Sequence, residues 1–229
     1  MGDFVVRLSS LTLQNIKNVK NGTIFMPMAN EKSLSVSGAE ILGIYGQNGS
    51  GKTAVVDALY FLQQIMIGQT IDLSISDYIG VDDDEAYVNA EFKIYGKEKV
   101  YEVGYNIVLK ENDGTVEIER EFLKCAINRD GKRTNKNIFM DYVRCESENI
   151  FKPQKRLDEL ICKNKERRTD LIVARKMAEK SNCSYVFGES SREIFCQKVE
   201  DKFEEYANVI RALFEFALKD LFVIRNTHS

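Results

Sequence analysis

Hydrophobic positions in the first 150 residues fall mostly into short, strand-like runs, and after that they shift to helical spacing. Val5, Leu8, Leu11 and Leu13, then Ile24, Phe25 and Met26, read as two strands joined through Asn21-Gly22, a strong hairpin-turn signal. The stretch 30–40, with Ser33, Ser35, Ser37 and Gly38, reads as a polar surface connection. Ile41, Leu42, Ile44 and Tyr45 form a short apolar run that predicts a buried strand. Over 53–66 the period becomes helical, with Val55, Leu59, Leu62 and Met66 on one face, flanked by Val56 and Ile65. A loop over 68–85 ends in Asp82-Asp83-Asp84-Glu85, an acidic cluster that reads as a solvated loop ahead of a metal site.

Three strand patterns follow, at 86–95, 100–110 and 115–127. Glu111-Asn112-Asp113-Gly114 supplies the turn between the last two, with glycine where a hairpin needs it. A basic turn over 129–136 precedes one more short strand at 138–143. Beyond Pro153, which suits a first helical turn, Leu157, Leu160, Ile161, Leu171, Ala174 and Met177 mark an apolar stripe. Its opposite face carries Lys163, Lys165, Arg167 and Arg168. A second long helix is expected over 192–219, from Phe195, Val199, Phe203, Tyr206, Ile210, Leu213, Phe214 and Ala217 at three-to-four spacing. Leu221-Phe222-Val223-Ile224 has the composition of a strand start.

The chemistry concentrates at the junction of the 41–45 run and the 53–66 helix. Gly46-Gln47-Asn48-Gly49-Ser50-Gly51-Lys52-Thr53 matches the phosphate-cradling P-loop, in the strand–loop–helix context the pattern requires. Gly46, Gly49 and Gly51 permit backbone angles that a β-carbon forbids. Successive amides and the positive end of the following helix then favour an anion. The expected roles are a Lys52 ammonium between the β- and γ-phosphates of ATP and a Thr53 hydroxyl on Mg²⁺. Together with the strand pattern this predicts an α/β fold. Residues 1–150 form a P-loop NTPase core with a flanking antiparallel β layer, and 151–229 form a helical C-terminal region.

The wording of the loop narrows the class. Asn48-Gly49-Ser50-Gly51-Lys52-Thr53 followed by Ala54-Val55-Val56-Asp57-Ala58-Leu59 resembles ATPase heads of the ABC, SMC and RecF kind. Leu11-Thr12-Leu13-Gln14-Asn15-Ile16-Lys17-Asn18 is similar to the opening strand of those heads, with Ile16 where they usually carry Phe. Among them the chain resembles the bacterial AAA-family ATPases of the abortive-infection, phage-defence type, and Ile118-Glu119-Arg120-Glu121-Phe122-Leu123 fits the same group. The resemblance is specific over 5–66 and looser to about 125. It implies ATP and Mg²⁺ as ligands, a homodimer of heads sandwiching two nucleotides, and a role in defence or DNA maintenance. A nucleotide sensor that recruits an effector nuclease or toxin is the alternative. A small-molecule P-loop kinase fits less well, because the opening strand has no role there.

Such heads also need an apolar strand ending in Asp-Glu to hold the metal and supply a base. Ile138-Phe139-Met140-Asp141 is followed by Tyr142, and Leu221-Phe222-Val223-Ile224 by Arg225. No LSGGQ-like signature is present, and Gln154 and Gln197 match a water-positioning glutamine by position only, or are ordinary surface residues. The expectation is that the sequence is the N-terminal half of a larger ATPase or one piece of a split one.

Composition changes this picture little. The five cysteines are odd in number and contain no C-x-x-C pair, which argues against a disulfide framework or zinc site and for a reduced, cytoplasmic setting. The sole histidine, His228, is next to last, which removes histidine-based catalysis from consideration. No stretch reaches the length of a membrane span and no signal pattern opens the chain, so no membrane partner is expected. Charge is uneven: 120–180 holds seventeen Lys/Arg against ten Asp/Glu, whereas the remainder holds fifteen against twenty-five. That basic middle is compatible with nucleic-acid contact or with a solvated helical face.

Overall fold

The computed structural model describes residues 4–27, 41–71, 78–80, 83–146, 150–161, 165–196 and 201–224. Its frame is a seven-stranded antiparallel sheet: β1 (Val5–Ile16), β2 (Val19–Phe25), β3 (Glu85–Tyr95), β4 (Lys99–Asn112), β5 (Thr115–Arg129), β6 (Lys132–Arg133) and β7 (Asn137–Val143). The order is β2-β1-β3-β4-β5-β6, with β7 also paired to β5. Among the described residues five helices accompany it: α1 (Lys52–Met66), α2 (Lys155–Ile161), α3 (Glu166–Ser181), α4 (Glu189–Cys196) and α5 (Asp201–Lys219). A mixed α/β fold with an antiparallel layer and later helices is what the pattern predicts.

Alternation decides which face of the sheet is covered. Ala86, Val88, Ala90, Phe92 and Ile94 of β3 and Tyr101, Val103, Tyr105, Ile107 and Leu109 of β4 are all buried. The helices lie against this face through aromatic contacts, Phe92 with Phe216 of α5 and Phe139 stacked on Tyr206 of α5 at 4.7 Å. Tyr105 meets Phe187, in the turn before α4, edge-on. α1 buries Ala54, Val55, Ala58, Phe61, Leu62, Ile65 and Met66, so its apolar face centres on Phe61 and Leu62, and Leu59 is only half-buried. Gln63 of α1 donates its amide to the carbonyls of Ala217 and Leu221, which the end of α5 leaves without helical partners.

β5 departs from strict alternation, and the departure matters. Val116 and Ile118 face the core, and the next core-facing position is Glu121, followed by Leu123 and Cys125. The three-residue step is a bulge: Val108 pairs with Arg120 and Leu109 with Ile118, leaving Glu119 extra. The bulge turns the Glu121 carboxylate inward. There it accepts from Tyr105 Oη (2.6 Å), Ser184 Oγ (2.8 Å), Tyr185 N–H (2.5 Å) and Val186 N–H (2.9 Å). Four donors on one buried carboxylate tie the sheet to the turn leading into α4.

Three local expectations need correction. The first hairpin turns at Lys17-Asn18, where Ile16 pairs with Val19, and Asn21-Gly22 lies inside β2 opposite Gln14 and Leu13. Lys17 takes the positive φ (51°) that the tight turn requires. Tertiary contacts described below stabilise that turn against the stronger local signal of Asn-Gly. In α3 the stripe runs through Leu171, Ala174, Arg175 and Ala178, which leaves Met177 exposed. Arg175 is buried because its guanidinium donates to Glu179 and to the Val143 carbonyl. Leu221-Phe222-Val223-Ile224 forms no strand, and Phe222 and Ile224 face solvent.

Candidate functional site

Residues 46–50 form an exposed glycine loop that passes through the buried Gly51 into α1 at Lys52. Gly49 (φ 82°) and Gly51 (φ 87°) occupy the left-handed region, which side chains with a β-carbon rarely adopt. A β-carbon on Gly51 would also sit 2.6 Å from Val19 Cγ2. The Ser50 N–H closes a turn on the Gln47 carbonyl at 3.2 Å, and Val55 N–H reaches Gly51 O to start the helix. Lys52 arches over the loop, its ammonium 2.7 Å from the carbonyl oxygens of both Gly46 and Gln47 and 3.4 Å from Ser50 Oγ. Thr53, in the first turn of α1, is exposed. Gly46, Gln47, Asn48, Gly49, Ser50, Gly51, Lys52 and Thr53 are thus contiguous on one loop and helix start, exposed except for the buried Gly51 and half-buried Lys52.

The buried strand expected at 41–45 is not formed. Residues 41–47 are irregular, with Ile41 88% and Tyr45 94% exposed. A strand exists only against a hydrogen-bonded neighbour, and every described strand belongs to the antiparallel layer, which excludes this segment.

Two residues that sequence reasoning passed over contact the loop and the helix that follows it. Asn18, at the β1–β2 turn, donates its side-chain amide to the Gly49 carbonyl. Lys17 beside it forms an ion pair with Asp57, a buried acid of α1. Both belong to motifs quoted for family likeness, but nothing in their spacing pairs position 17 with position 57.

The other candidates lie elsewhere. Of the acidic cluster, Asp82 lies outside the described residues, Asp83 pairs with Lys20 at 2.7 Å, and Glu85 accepts from Tyr87 Oη. Many cations of the basic middle are engaged: Arg133 with Glu102, Lys136 with Glu91, Arg144 with Glu117, and Arg129 with Glu205. Lys163 and Gln197 lie outside the described residues, and Gln154 is exposed in the turn before α2. A cavity of about 700 Å³ lies between the β3–β4 and β5–β6 turns. It is an open hollow of mixed charge (Lys93, Lys97, Glu98, Glu102, Asp130) with no residue of the glycine loop, so its size assigns it no role.

Asp141 sits on β7 in the antiparallel layer. Arg120 grips it through two bonds of 2.7 and 2.8 Å, and Lys152 adds a second ion pair. Burial pushes its carboxyl up, but the two cations outweigh burial and hold it below the usual aspartate range. An acid with a depressed folded pKa contributes stability above its unfolded value, near pH 4, and loses it as pH falls through the folded value. Asp141→Asn should therefore cost about 1–2 kcal/mol at neutral pH, less than a fully buried pair because both cations are partly exposed. Urea denaturation should show that gap closing as pH falls below about 4; a gap independent of pH would contradict the assignment.

Comparison with known proteins places the chain. A family model described as an AAA domain matches residues 10–221. The chain belongs to the AAA domain family. That match takes in the second half of β1, the glycine loop, the rest of the antiparallel layer and the helices through α5. The AAA domain is also 36% identical over 104 residues to the DNA replication and repair protein RecF of Deinococcus radiodurans. The aligned stretch covers 45% of this chain and 24% of that protein. No described helix of the AAA domain is long and apolar enough to cross a membrane.

Proposed function

We propose that this AAA domain binds ATP·Mg²⁺ on residues 46–53, as part of an ATPase of the SMC and RecF-like kind that acts on DNA. The observation that carries the reading is the pair of left-handed glycines, Gly49 and Gly51, feeding directly into α1 at Lys52. Such a loop fits a polyphosphate because its amides and the helix start carry positive partial charge, and Lys52 adds a full one. In this reading Lys52 contacts the terminal phosphates, the loop amides hold the remaining oxygens, and the exposed Thr53 hydroxyl ligates Mg²⁺.

The DNA-related role rests on the likeness to RecF, a DNA replication and repair protein, and a place in phage defence rests on the sequence resemblance over 5–66 and at 118–123. A homodimer of heads follows from the resemblance to ABC, SMC and RecF heads. Nucleic-acid contact through 120–180 would draw on its exposed cations, among them Lys132, Lys155, Lys165 just before α3, and Arg168, Lys176 and Lys180 on it. A second reading is a nucleotide sensor that recruits a nuclease or toxin effector without fast turnover. It is favoured by Asp141, whose carboxylate is engaged by Arg120 and Lys152 rather than available to a metal.

Calorimetric titration with ATP, with and without Mg²⁺, tests the site, and phosphate release separates the two readings. Binding should strengthen with Mg²⁺, and Thr53→Ala should erase most of that strengthening while leaving metal-free affinity within about threefold. Equal Mg²⁺ dependence in both proteins would remove Thr53 from the site. Binding with phosphate release above a Lys52→Ala control supports the ATPase; binding without release is expected both of the sensor and of an ATPase half that needs a separate Asp-Glu strand, and release restored by a segment supplying that strand separates them.

A further inference from the structure

We infer that the β1–β2 turn is a brace for the nucleotide loop and that Asn18 is the residue that positions it. This rests on the reading of 46–53 as a phosphate loop. The turn is two residues long, Lys17 and Asn18, and each of its neighbours makes a contact that ordinary hairpins lack. On the loop side, the Asn18 amide donates to the Gly49 carbonyl, and Val19 Cγ2 fills the place a β-carbon on Gly51 would need. Asn18 and Val19 therefore address Gly49 and Gly51, the two residues that carry the loop's left-handed backbone.

On the helix side, Lys17 pairs with Asp57, an acid 3% exposed one turn beyond Thr53 in α1. On the far side the turn is held from behind. The Lys17 N–H donates to the Tyr78 carbonyl at 2.6 Å, and the Gly80 N–H donates to the Asn15 carbonyl at 3.0 Å. The Lys17 ammonium also lies 5.0 Å from the centre of the Tyr78 ring. Asn15 and Lys17 both take positive φ, 55° and 51°, a conformation Asn adopts readily but that is uncommon for Lys. The turn is thus wedged between the 78–80 segment and α1, and from that fixed position it reaches the loop.

The consequence for the loop is geometric. A trans peptide keeps its C=O and N–H antiparallel, so fixing the Gly49 carbonyl fixes the Gly49–Ser50 peptide plane. That plane sets how the chain enters Gly51 and the first amides of α1, the donors that meet an anion. The charge of Lys17 is matched by Asp57, so the turn acts by holding backbone and adds no net positive charge. Pre-organising the loop lowers the ordering cost of binding, which appears as affinity.

Asn18 is exposed, so it can be changed without emptying the core. Asn18→Asp replaces the donor with an acceptor facing the Gly49 carbonyl, whereas Asn18→Ala only removes the donor. Amide hydrogen exchange on the ligand-free full chain should quicken at Ser50 and Gly51 by about tenfold or more in Asn18→Asp, and less in Asn18→Ala, with the melting temperature little changed. ATP affinity should fall in the same order. A Lys17→Met and Asp57→Asn cycle should be non-additive, the double variant losing no more affinity than either single one. Unchanged exchange at Ser50 and Gly51 in both Asn18 variants would overturn the brace, whatever ATP does. Quickened exchange in a chain whose wild type fails to bind ATP would leave the brace standing and remove the phosphate-loop reading. If Asn18→Asp does not fold, the Asn18→Ala exchange rates decide.

Discussion

Lys52→Ala should reduce ATP affinity by at least about a hundredfold while leaving the ligand-free fold almost untouched. The ammonium is the only full positive charge on residues 46–53, and its present partners are main-chain carbonyls of Gly46 and Gln47 on an exposed loop. Hydrogen bonds to a charged group contribute roughly 1.5–3 kcal/mol each, so losing one or two against phosphate amounts to about 3 kcal/mol, or two orders of magnitude. The same contacts contribute little to folding, because the freed carbonyls face water. Calorimetry measures the first quantity and thermal denaturation without ligand the second. Equal stabilisation of wild type and variant by saturating ATP·Mg²⁺ would mean that the ligand sits elsewhere.

Much of the architecture was legible because it is written locally. The β3–β4–β5 meander follows from alternation and from Asp113-Gly114, which take φ values of 50° and 78° between Asn112 and Thr115. The helix after the glycine loop follows from its period and begins at Lys52, one residue before the expected start. What escaped the sequence depends on distant partners. Asn21-Gly22 is the stronger local turn signal, yet the chain turns at Lys17-Asn18, where Asp57, Gly49 and Tyr78 supply the stabilisation. The 41–45 run has strand composition, but composition cannot supply the neighbouring strand that pairing requires. The paired cations of 120–180 take partners as remote as Glu91, Glu102 and Glu205, so a count of charge could not tell a binding surface from a set of cross-strand ion pairs.

Glu121 is the most instructive omission, because its signal was present. In a regular strand, core-facing residues are two apart, and the three-residue step from Ile118 to Glu121 can be met only by a bulge. That spacing was visible as a family likeness, but its physical content is that a carboxylate points inward. Glu121→Ala should be the most destabilising of the substitutions considered, by about 3–5 kcal/mol, because it strands the Tyr105 hydroxyl and the Tyr185 and Val186 N–H groups in a dry core. For a domain of this size that corresponds to a fall of roughly 10 °C or more in melting temperature.

Glu121→Gln separates the hydrogen-bond role from the charge. Its carbonyl can keep the two N–H donors, and the Tyr105 and Ser184 hydroxyls can rotate to accept from its amide, so the loss should be about 1–2 kcal/mol. Burial raises the Glu121 carboxyl above its ordinary value even against four donors. Between the unfolded pKa, about 4.3, and that higher folded value, the native state holds a proton that the unfolded chain has released. Stability contributed by this group therefore declines as pH rises through that window, and the glutamine variant, which does not titrate, escapes the decline. Urea denaturation of both proteins from about pH 4 upward should show the advantage of wild type over Glu121→Gln shrinking with pH. An advantage that stays constant, or grows, would mean that the four donors and not burial set the state of Glu121.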